Sequence, residues 1–503
     1  MGRELHVKGW ETPHWRGDAM VKMLIAGEQT DATATDELEV VDPATEDVYE
    51  TVPAGGVDAV DLAVQAADAA FAEWSRTDAE KRAALLRKAL DLVAEHRDEI
   101  VDTLTHEQGK PTMEAAGELQ HFLHGMHYYA DLATKVRGAY QDLPSTLGRS
   151  YGMVIKRPVG PVAAIVPYNY PLTLMGTKLG PALAAGNTVV VKPASSTPLA
   201  TLRVAELFHE AGLPAGVLNV VTGRGATIGD ALVTHPLIRR VAFTGETGTG
   251  KHIAALAAPS FKRISLELGG SDPMIVCPDV DVKAVVKSAV IARFWNAGQS
   301  CLAAKRLYVF DEVYDELVGG LAQELERYEC GTGWTKPEKP KLRMGPVHTK
   351  GGQQELAEQL EDAISRGAKV LVGGGPPEDA EKGYFFRPTL VEGAPHDSRL
   401  VQEEVFGPIL PVFRVHDIDE AIRLANDTRY GLGSSIWTHD ARYIDRAAQE
   451  IEAGMTWVNQ IHYGYDELPF GGLKESGLGK EHGLEAMMDH YFETKSVVVG
   501  GLG

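Results

Sequence analysis

Cysteine is scarce in this sequence, three residues among 503, at positions 277, 301 and 330. Three separated cysteines cannot build a disulfide framework, and no Cys-x-x-Cys pair suggests zinc or a dithiol redox centre; a reducing cytoplasm is the expected compartment. Basic charge is in deficit, with 49 Lys and Arg against 70 Asp and Glu and a formal net charge of -21. Nucleic acid and anionic membranes would be repelled by such a surface. No uninterrupted apolar run approaches the about 20 residues of a spanning helix. The opening MGRELHVKGWETPHW lacks the apolar stretch of a secretion signal. There is no repeat of fixed period and no long Pro/Ser or single-charge tract.

What is present is ordinary globular composition, 44% hydrophobic and 24% charged, in a chain too long for one core, so two or three domains are expected. Val60, Val64, Ala67, Phe71 and Trp74 share one helical face, and Thr77-Asp78-Ala79-Glu80 has the form of a capping box opening the next helix. The early part of the chain is therefore expected to be helical. From 160 to 267 short apolar runs (VAAIV, TVVVK, GVLNVV, RRVAFT, RISLEL) alternate with amphipathic segments. Five strands joined by helices specify a parallel, doubly wound sheet, and ligands collect beyond the carboxyl ends of such strands. From 272 to about 460 a second alternating series (PMIVC, RLYVF, AKVLVGG, PILPVFRV, GSSIWT, GMTWVN) implies a second α/β domain. Strand-like segments at 150–159 and 491–499 lie outside both series and are expected to form a small added sheet suited to pairing between subunits.

Cys301 follows a Gly298-Gln299-Ser300 turn able to present a thiol, whereas Cys277 in an apolar strand and Cys330 in a polar turn have no such setting. An attack by Cys301 on a carbonyl needs oxyanion donors, which its own N–H and the Asn169 amide would supply. Glu267, at a strand end beside a Gly-Gly pair, has the form of a general base, or alternatively of a turn-capping acid. Lys192 after TVVV would reach a ribose or phosphate, and Gly245 before a helix would admit a diphosphate to backbone N–H groups. His121, His124 and His127 recur at every third position, but without a carboxylate or cysteine partner they are an ordinary helix face rather than a metal site.

PYNYP, VKPAS, FTGETG, LELGG, GQSC, EEVFGP and PFGGLKESGLGKE occur in one order over some 450 residues, and in this series the chain resembles the aldehyde dehydrogenase superfamily of the hydrolytic, non-CoA-acylating type. The resemblance implies that Cys301 is the nucleophile, Asn169 its oxyanion partner, Glu267 the base that frees water for deacylation and Glu481 a member of the proton path. It further implies that Tyr168, Lys192, Ser195, Gly225, Gly245, Glu246, Leu268, Glu404 and Phe406 line an NAD or NADP dinucleotide. The implied reaction forms a thiohemiacetal on Cys301, passes hydride to the nicotinamide C4 and hydrolyses the resulting thioester. By the same resemblance residues 1–140 and 160–270 form the dinucleotide domain, 271–462 the catalytic domain, and 141–159 with 483–503 the oligomerisation strands of a dimer or tetramer.

Three positions depart from the usual pattern of that superfamily. Ser195 stands where NAD-preferring members carry a glutamate for the adenosine ribose, which favours acceptance of NADP. Glu246 replaces the serine after Phe-Thr-Gly, placing a negative charge where the diphosphate is expected. Tyr168 replaces a tryptophan. A CoA-acylating semialdehyde dehydrogenase is disfavoured because Glu267 is present. A non-catalytic protein on the same fold is disfavoured by Cys301, Asn169 and Glu267 together, and a cysteine hydrolase by the lack of a Cys–His pair. Candidate pocket walls are His124, Phe294, Trp295, Ser300, Leu302 and Tyr463, which permit a short hydroxyaldehyde, a semialdehyde acid or an aromatic aldehyde.

Overall fold

The computed structural model describes residues 21–31, 33–144, 149–334 and 342–500. The start of the expected dinucleotide domain (1–20), residues 145–148 of the first oligomerisation span and 501–503 of the second lie outside them. The chain opens with strands β1 (Met23–Ile25) and β2 (Glu28–Thr30) and a hairpin, β3 (Ala34–Val41) and β4 (Val48–Gly55). Four helices follow: α1 (Val57–Trp74), α2 (Ala79–Glu95), α3 (Arg97–Gln108) and α4 (Thr112–Leu132). Thus four strands precede the helices that the periodicity of residues 57–76 predicts. The cap of α2 is Asp78, whose carboxylate accepts from the Glu80 N–H; Thr77 instead turns its hydroxyl back to the Glu73 carbonyl. A carboxylate one residue nearer the helix wins the orphan N–H.

After β5 (Ala139–Leu143) and β6 (Ser150–Pro158) the alternating series begins. It runs β7 (Val162–Ile165), α5 (Pro171–Ala185), β8 (Val189–Lys192), α6 (Leu199–Glu210), β9 (Leu218–Val220), α7 (Asp230–Thr234), β10 (Arg240–Thr244), α8 (Thr247–Ala257) and β11 (Arg263–Glu267). The second series comprises β12 (Asp272–Val276), α9 (Val282–Phe294), β13 (Ala304–Phe310), α10 (Asp311–Leu325), β14 (Tyr328–Cys330), β15 (Leu342–Met344) and α11 (Lys350–Ser365). It continues through β16 (Lys369–Val372), β17 (Thr389–Glu392), α12 (Arg399–Gln402), β18 (Ile409–Val415), α13 (Ile418–Asn426), β19 (Gly433–Trp437), α14 (Ala441–Glu450) and β20 (Met455–Val458). The chain then returns through β21 (Gly477–Leu478) and α15 (Gly483–His490) to β22 (Phe492–Val499).

The first sheet has the order β2-β1-β9-β8-β7-β10-β11-β21, and its five inner strands are parallel. Winding reverses between β7 and β10, which opens the crevice at their carboxyl ends. Val189 and Val191 pack into one apolar core and Val190 into another, so alternate side chains of one strand serve helices on both faces. The second sheet, β16-β17-β18-β13-β12-β19-β20, is parallel except for its edge strand β16. The α/β architecture with two parallel-sheet units is therefore the expected one, with antiparallel strands added at edges. Strands β22, β6 and β5 form a separate antiparallel sheet.

Candidate active site

Residues 268–271 alone link β11, whose last residue is Glu267, to β12, so the carboxyl end of the first sheet abuts the start of the second. At that junction Lys305 Nζ donates to the Gly270 carbonyl at 2.8 Å and to the Cys301 carbonyl at 3.1 Å. Cys301 is half-buried. The turn that carries it is wound left-handed at three successive residues, Asn296, Ala297 and Gly298, with φ of 53°, 52° and 73°. Two of these are not glycine, and such a run costs energy that its surroundings must hold. Arg293 does this from the last turn of α9: its buried guanidinium donates to the Ile409 carbonyl at 2.8 Å and the Val405 carbonyl at 3.0 Å, and also to the carbonyl of Gly407. Glu114 on α4 accepts from the Asn296 N–H at 2.8 Å.

Asn169, in the loop after β7, is buried. Its Nδ2 donates to the Gln299 carbonyl at 3.1 Å, while its main-chain carbonyl accepts from Lys110 Nζ at 2.7 Å and Asn296 Nδ2 at 3.0 Å. The carboxamide is thereby fixed two residues from the cysteine with one N–H unspent. Glu267 is 4% exposed, and neither carboxyl oxygen has a hydrogen-bond partner. Burial, and then the neighbouring Glu481 charge, hold its carboxyl well above the usual range, against the pull of Lys178 and Lys480. Burial likewise pushes the Cys301 thiol up to about 12, opposed by Lys305. Loss of water therefore keeps the Cys301 thiol protonated at rest.

Glu481 accepts from Lys178 Nζ at 3.1 Å and from Thr177 Oγ1 at 3.1 Å, and Lys178 also donates to Thr244 Oγ1 at 2.7 Å. Lys480 donates to the Gly471 carbonyl, against which Glu267 is packed. Lys178, Lys480, Lys305, Arg293 and Asn296 all escaped the sequence reading. Only Asn296 gave a signal, since asparagine is the side chain that best tolerates a left-handed turn.

Around the crevice, Lys192 closes β8 and donates to the Pro193 carbonyl at 2.9 Å; burial lowers its ammonium to about 8. Ser195 Oγ donates to the Gly223 carbonyl at 2.9 Å, tying the loops after β8 and β9 together. Gly225 has open space where a side chain would stand. The Gly245 N–H donates to the Glu267 carbonyl at 3.0 Å. Glu246 is the N-cap of α8 and its carboxylate lies over Gly248. Leu268 fills the space above Gly250 and donates its N–H to the Ser476 carbonyl at 3.0 Å. Glu404 accepts from Lys305 Nζ at 2.6 Å and from the Gly270 N–H at 3.0 Å. Phe406 meets Tyr168 edge-on at 6.1 Å between ring centroids.

His348, with no warning in the sequence, stacks on Tyr168 at 4.4 Å and hydrogen-bonds Ser196 Oγ at 2.7 Å through Nε2. Its main-chain N–H donates to Gln299 Oε1 at 2.8 Å, joining the cofactor loops to the cysteine turn, and burial lowers its ring to about 4, so it is neutral.

Of the candidate pocket walls, Phe294 is 1% exposed and belongs to the core of the second sheet, because the helix ends on its buried face. Trp295, Tyr463 and His124 remain exposed, and Ser300 and Leu302 half-buried. His121 and His124 are engaged by Tyr463 and Asp466, each at 3.0 Å. Cys277 is buried, and Cys330 lies on β14 with its thiol 3.7 Å from the Phe386 carbonyl.

The aldehyde dehydrogenase family profile matches residues 30–497. The chain belongs to the aldehyde dehydrogenase family. It is 41% identical to the phenylacetaldehyde dehydrogenase of Pseudomonas fluorescens, over 98% of this chain and 97% of that one. It is 38% identical to the NADP(+) succinate-semialdehyde dehydrogenase of Escherichia coli strain K12, over 95% and 97%. Among solved structures, Staphylococcus aureus betaine aldehyde dehydrogenase in complex with NAD+ superposes with a TM-score of 0.91 at 33% identity, covering 96% of this chain and 95% of that one. This aldehyde dehydrogenase oxidises an aldehyde to the carboxylic acid with NAD(P) as acceptor. Among the described residues no helix is long and apolar enough to cross a membrane.

Proposed function

We propose that Cys301 attacks the aldehyde and Glu267 activates the water that later releases the acid. The observation that carries this reading is the buried Glu267 carboxyl, unpartnered at both oxygens and near enough to the half-buried Cys301 for its charge to act on the thiol. Leaving a buried carboxyl without hydrogen bonds costs free energy, and a reactive role accounts for that cost. The thiol loses its proton as the S–C bond forms. The carbonyl oxygen, becoming negative, takes the Cys301 N–H and the unspent Asn169 amide proton. A bound nicotinamide supplies the acceptor for the hydride lost from that carbon. Glu267 then takes a proton from water attacking the thioester, and its raised affinity for protons makes it an effective base. Lys178 and Glu481 serve as the path along which that proton leaves.

The residues present fit a dinucleotide: the crevice at the β7–β10 reversal, the open space over Gly225 and the buried Lys192 ammonium form one run. Lys192 and Ser195 would hold the adenosine ribose, Glu404 and Phe406 the nicotinamide end, with Tyr168, Leu268 and Glu246 between. Ser195 is short and uncharged, which supports acceptance of NADP. Residues 1–140 with 160–270, 271–462, and 141–159 with 483–503 are proposed as dinucleotide, catalytic and oligomerisation units. The free edges of β5 and β22 support a homo-oligomer, which light scattering would measure. Three free cysteines favour work in the cytoplasm.

The test is Glu267→Gln mixed rapidly with aldehyde and NADP. A burst of reduced cofactor equal to the active sites is expected, followed by turnover slowed by about 10²–10⁴. Cys301→Ala is expected to give no burst, and added CoA no acyl-CoA. Steady turnover by Glu267→Gln at the parent rate would overturn the assignment.

A further inference from the structure

The mouth beside Cys301 closes on itself through contacts that begin and end in the cysteine turn. Trp295 precedes Asn296 and lies against Gly117 of α4 at the edge of van der Waals contact, 3.8 Å from where a Cβ would stand. One turn along α4, His121 Nδ1 is 3.0 Å from the Tyr463 hydroxyl. The residue before Tyr463, His462, accommodates the Leu302 carbonyl at 2.8 Å, one residue after Cys301. The circuit is largely aromatic, and its apolar faces are open: Trp295 is 37% exposed, Tyr463 47% and Tyr465 36%. The charge built into it is negative. Asp466 is 3% exposed and accepts from His124 Nδ1 at 3.0 Å.

The cations around the cysteine are already spent. Lys110 pairs with Glu118, Lys178 with Glu481 and Lys305 with Glu404. Arg293 is consumed by main-chain carbonyls, and Lys480 by that of Gly471. A carboxylate carried by a substrate would have to leave water for a mouth in which each of these cations has a partner and Asp466 repels it. A flat uncharged ring would instead lie on exposed indole and phenol faces.

We infer that the ring of Trp295, His121, Tyr463 and Asp466 makes this enzyme selective for uncharged aryl or arylalkyl aldehydes over aldehydes bearing a carboxylate. The inference rests on the aldehyde-oxidation reading and names the substrate class of the same site. Three probes separate the two claims: 3-phenylpropanal, succinic semialdehyde and propanal, compared by kcat/KM with NADP. The aromatic probe is expected to exceed the semialdehyde by at least about tenfold, and Trp295→Ala and Tyr463→Ala each to narrow the aromatic-to-propanal ratio by a similar factor. Oxidation of propanal with the semialdehyde equal to or better than the aromatic probe would overturn the selectivity while leaving the reaction intact. An unchanged ratio in both variants would do the same. No oxidation of any of the three would remove the underlying reading and the inference together.

Discussion

Lys178→Met isolates the buried electrostatics on which Glu267 depends. The ammonium and the Glu481 carboxylate are 0% and 2% exposed, paired at 3.1 Å, with Thr244 Oγ1 a further 2.7 Å acceptor. Methionine matches the length of the stem but leaves Glu481 charged, dry and facing Glu267. Removing one partner of such a pair destabilises by about 3–5 kcal/mol, or roughly two to three and a half decades in the folding constant at about 1.4 kcal/mol per decade. Because the loss comes from the stranded carboxylate, the double variant Lys178→Met, Glu481→Gln should recover most of it, a strongly non-additive outcome. Lys178 also opposes the upward shift of the Glu267 carboxyl, so the limb of the kcat profile that reports Glu267 should move to higher pH in the single variant. Urea unfolding followed by tryptophan fluorescence gives the first quantity and steady-state kinetics the second. A single-variant loss below about 1 kcal/mol, the value of an exposed pair, or a double variant as weak as the sum of the singles, would refute the reasoning.

Ser195→Glu should favour NAD over NADP by about tenfold or more, since a carboxylate there repels a 2′-phosphate; an unaltered ratio of kcat/KM values would place the adenosine ribose elsewhere. Lys192 titrates near pH 8 rather than at 10.5, so its attraction for a phosphate is present below pH 8 and lost above it. KM for NADP should accordingly climb between pH 7 and 9 more steeply than KM for NAD, and parallel profiles would count against the contact. His348→Val removes the stack on Tyr168 and the Ser196 hydrogen bond and is expected to raise cofactor KM about tenfold, near 1.4 kcal/mol, whereas a purely structural role would lower stability without moving KM. Gly298→Ala puts a Cβ 2.5 Å from the Gly407 carbonyl at a φ of 73°, so kcat should collapse even where the protein still folds, as circular dichroism beside a turnover assay would reveal.

The sequence by itself determined the strands that carry the crevice, because each of VAAIV, TVVVK, GVLNVV, RRVAFT and RISLEL is a short apolar run flanked by amphipathic segments, and that period is local information. It also determined which residue types stand at the ends of those strands, and hence the asparagine and the glutamate of the candidate site, and it marked the cysteine by the Gly298-Gln299-Ser300 turn before it. It misjudged features where a neighbour distant along the chain prevails. Strands β1–β4 are stabilised by pairing and not by their own pattern. Phe294 faces inward because α9 ends against the second sheet. Only the tertiary structure decided the protonation of the site, since the displacements of Cys301, Glu267 and Lys192 arise from the water that the folded chain excludes. The same holds for the Lys178–Glu481 pair and the His348 bridge, whose partners are separated by some 300 and 150 residues. No period or spacing along the chain encodes contacts of that range.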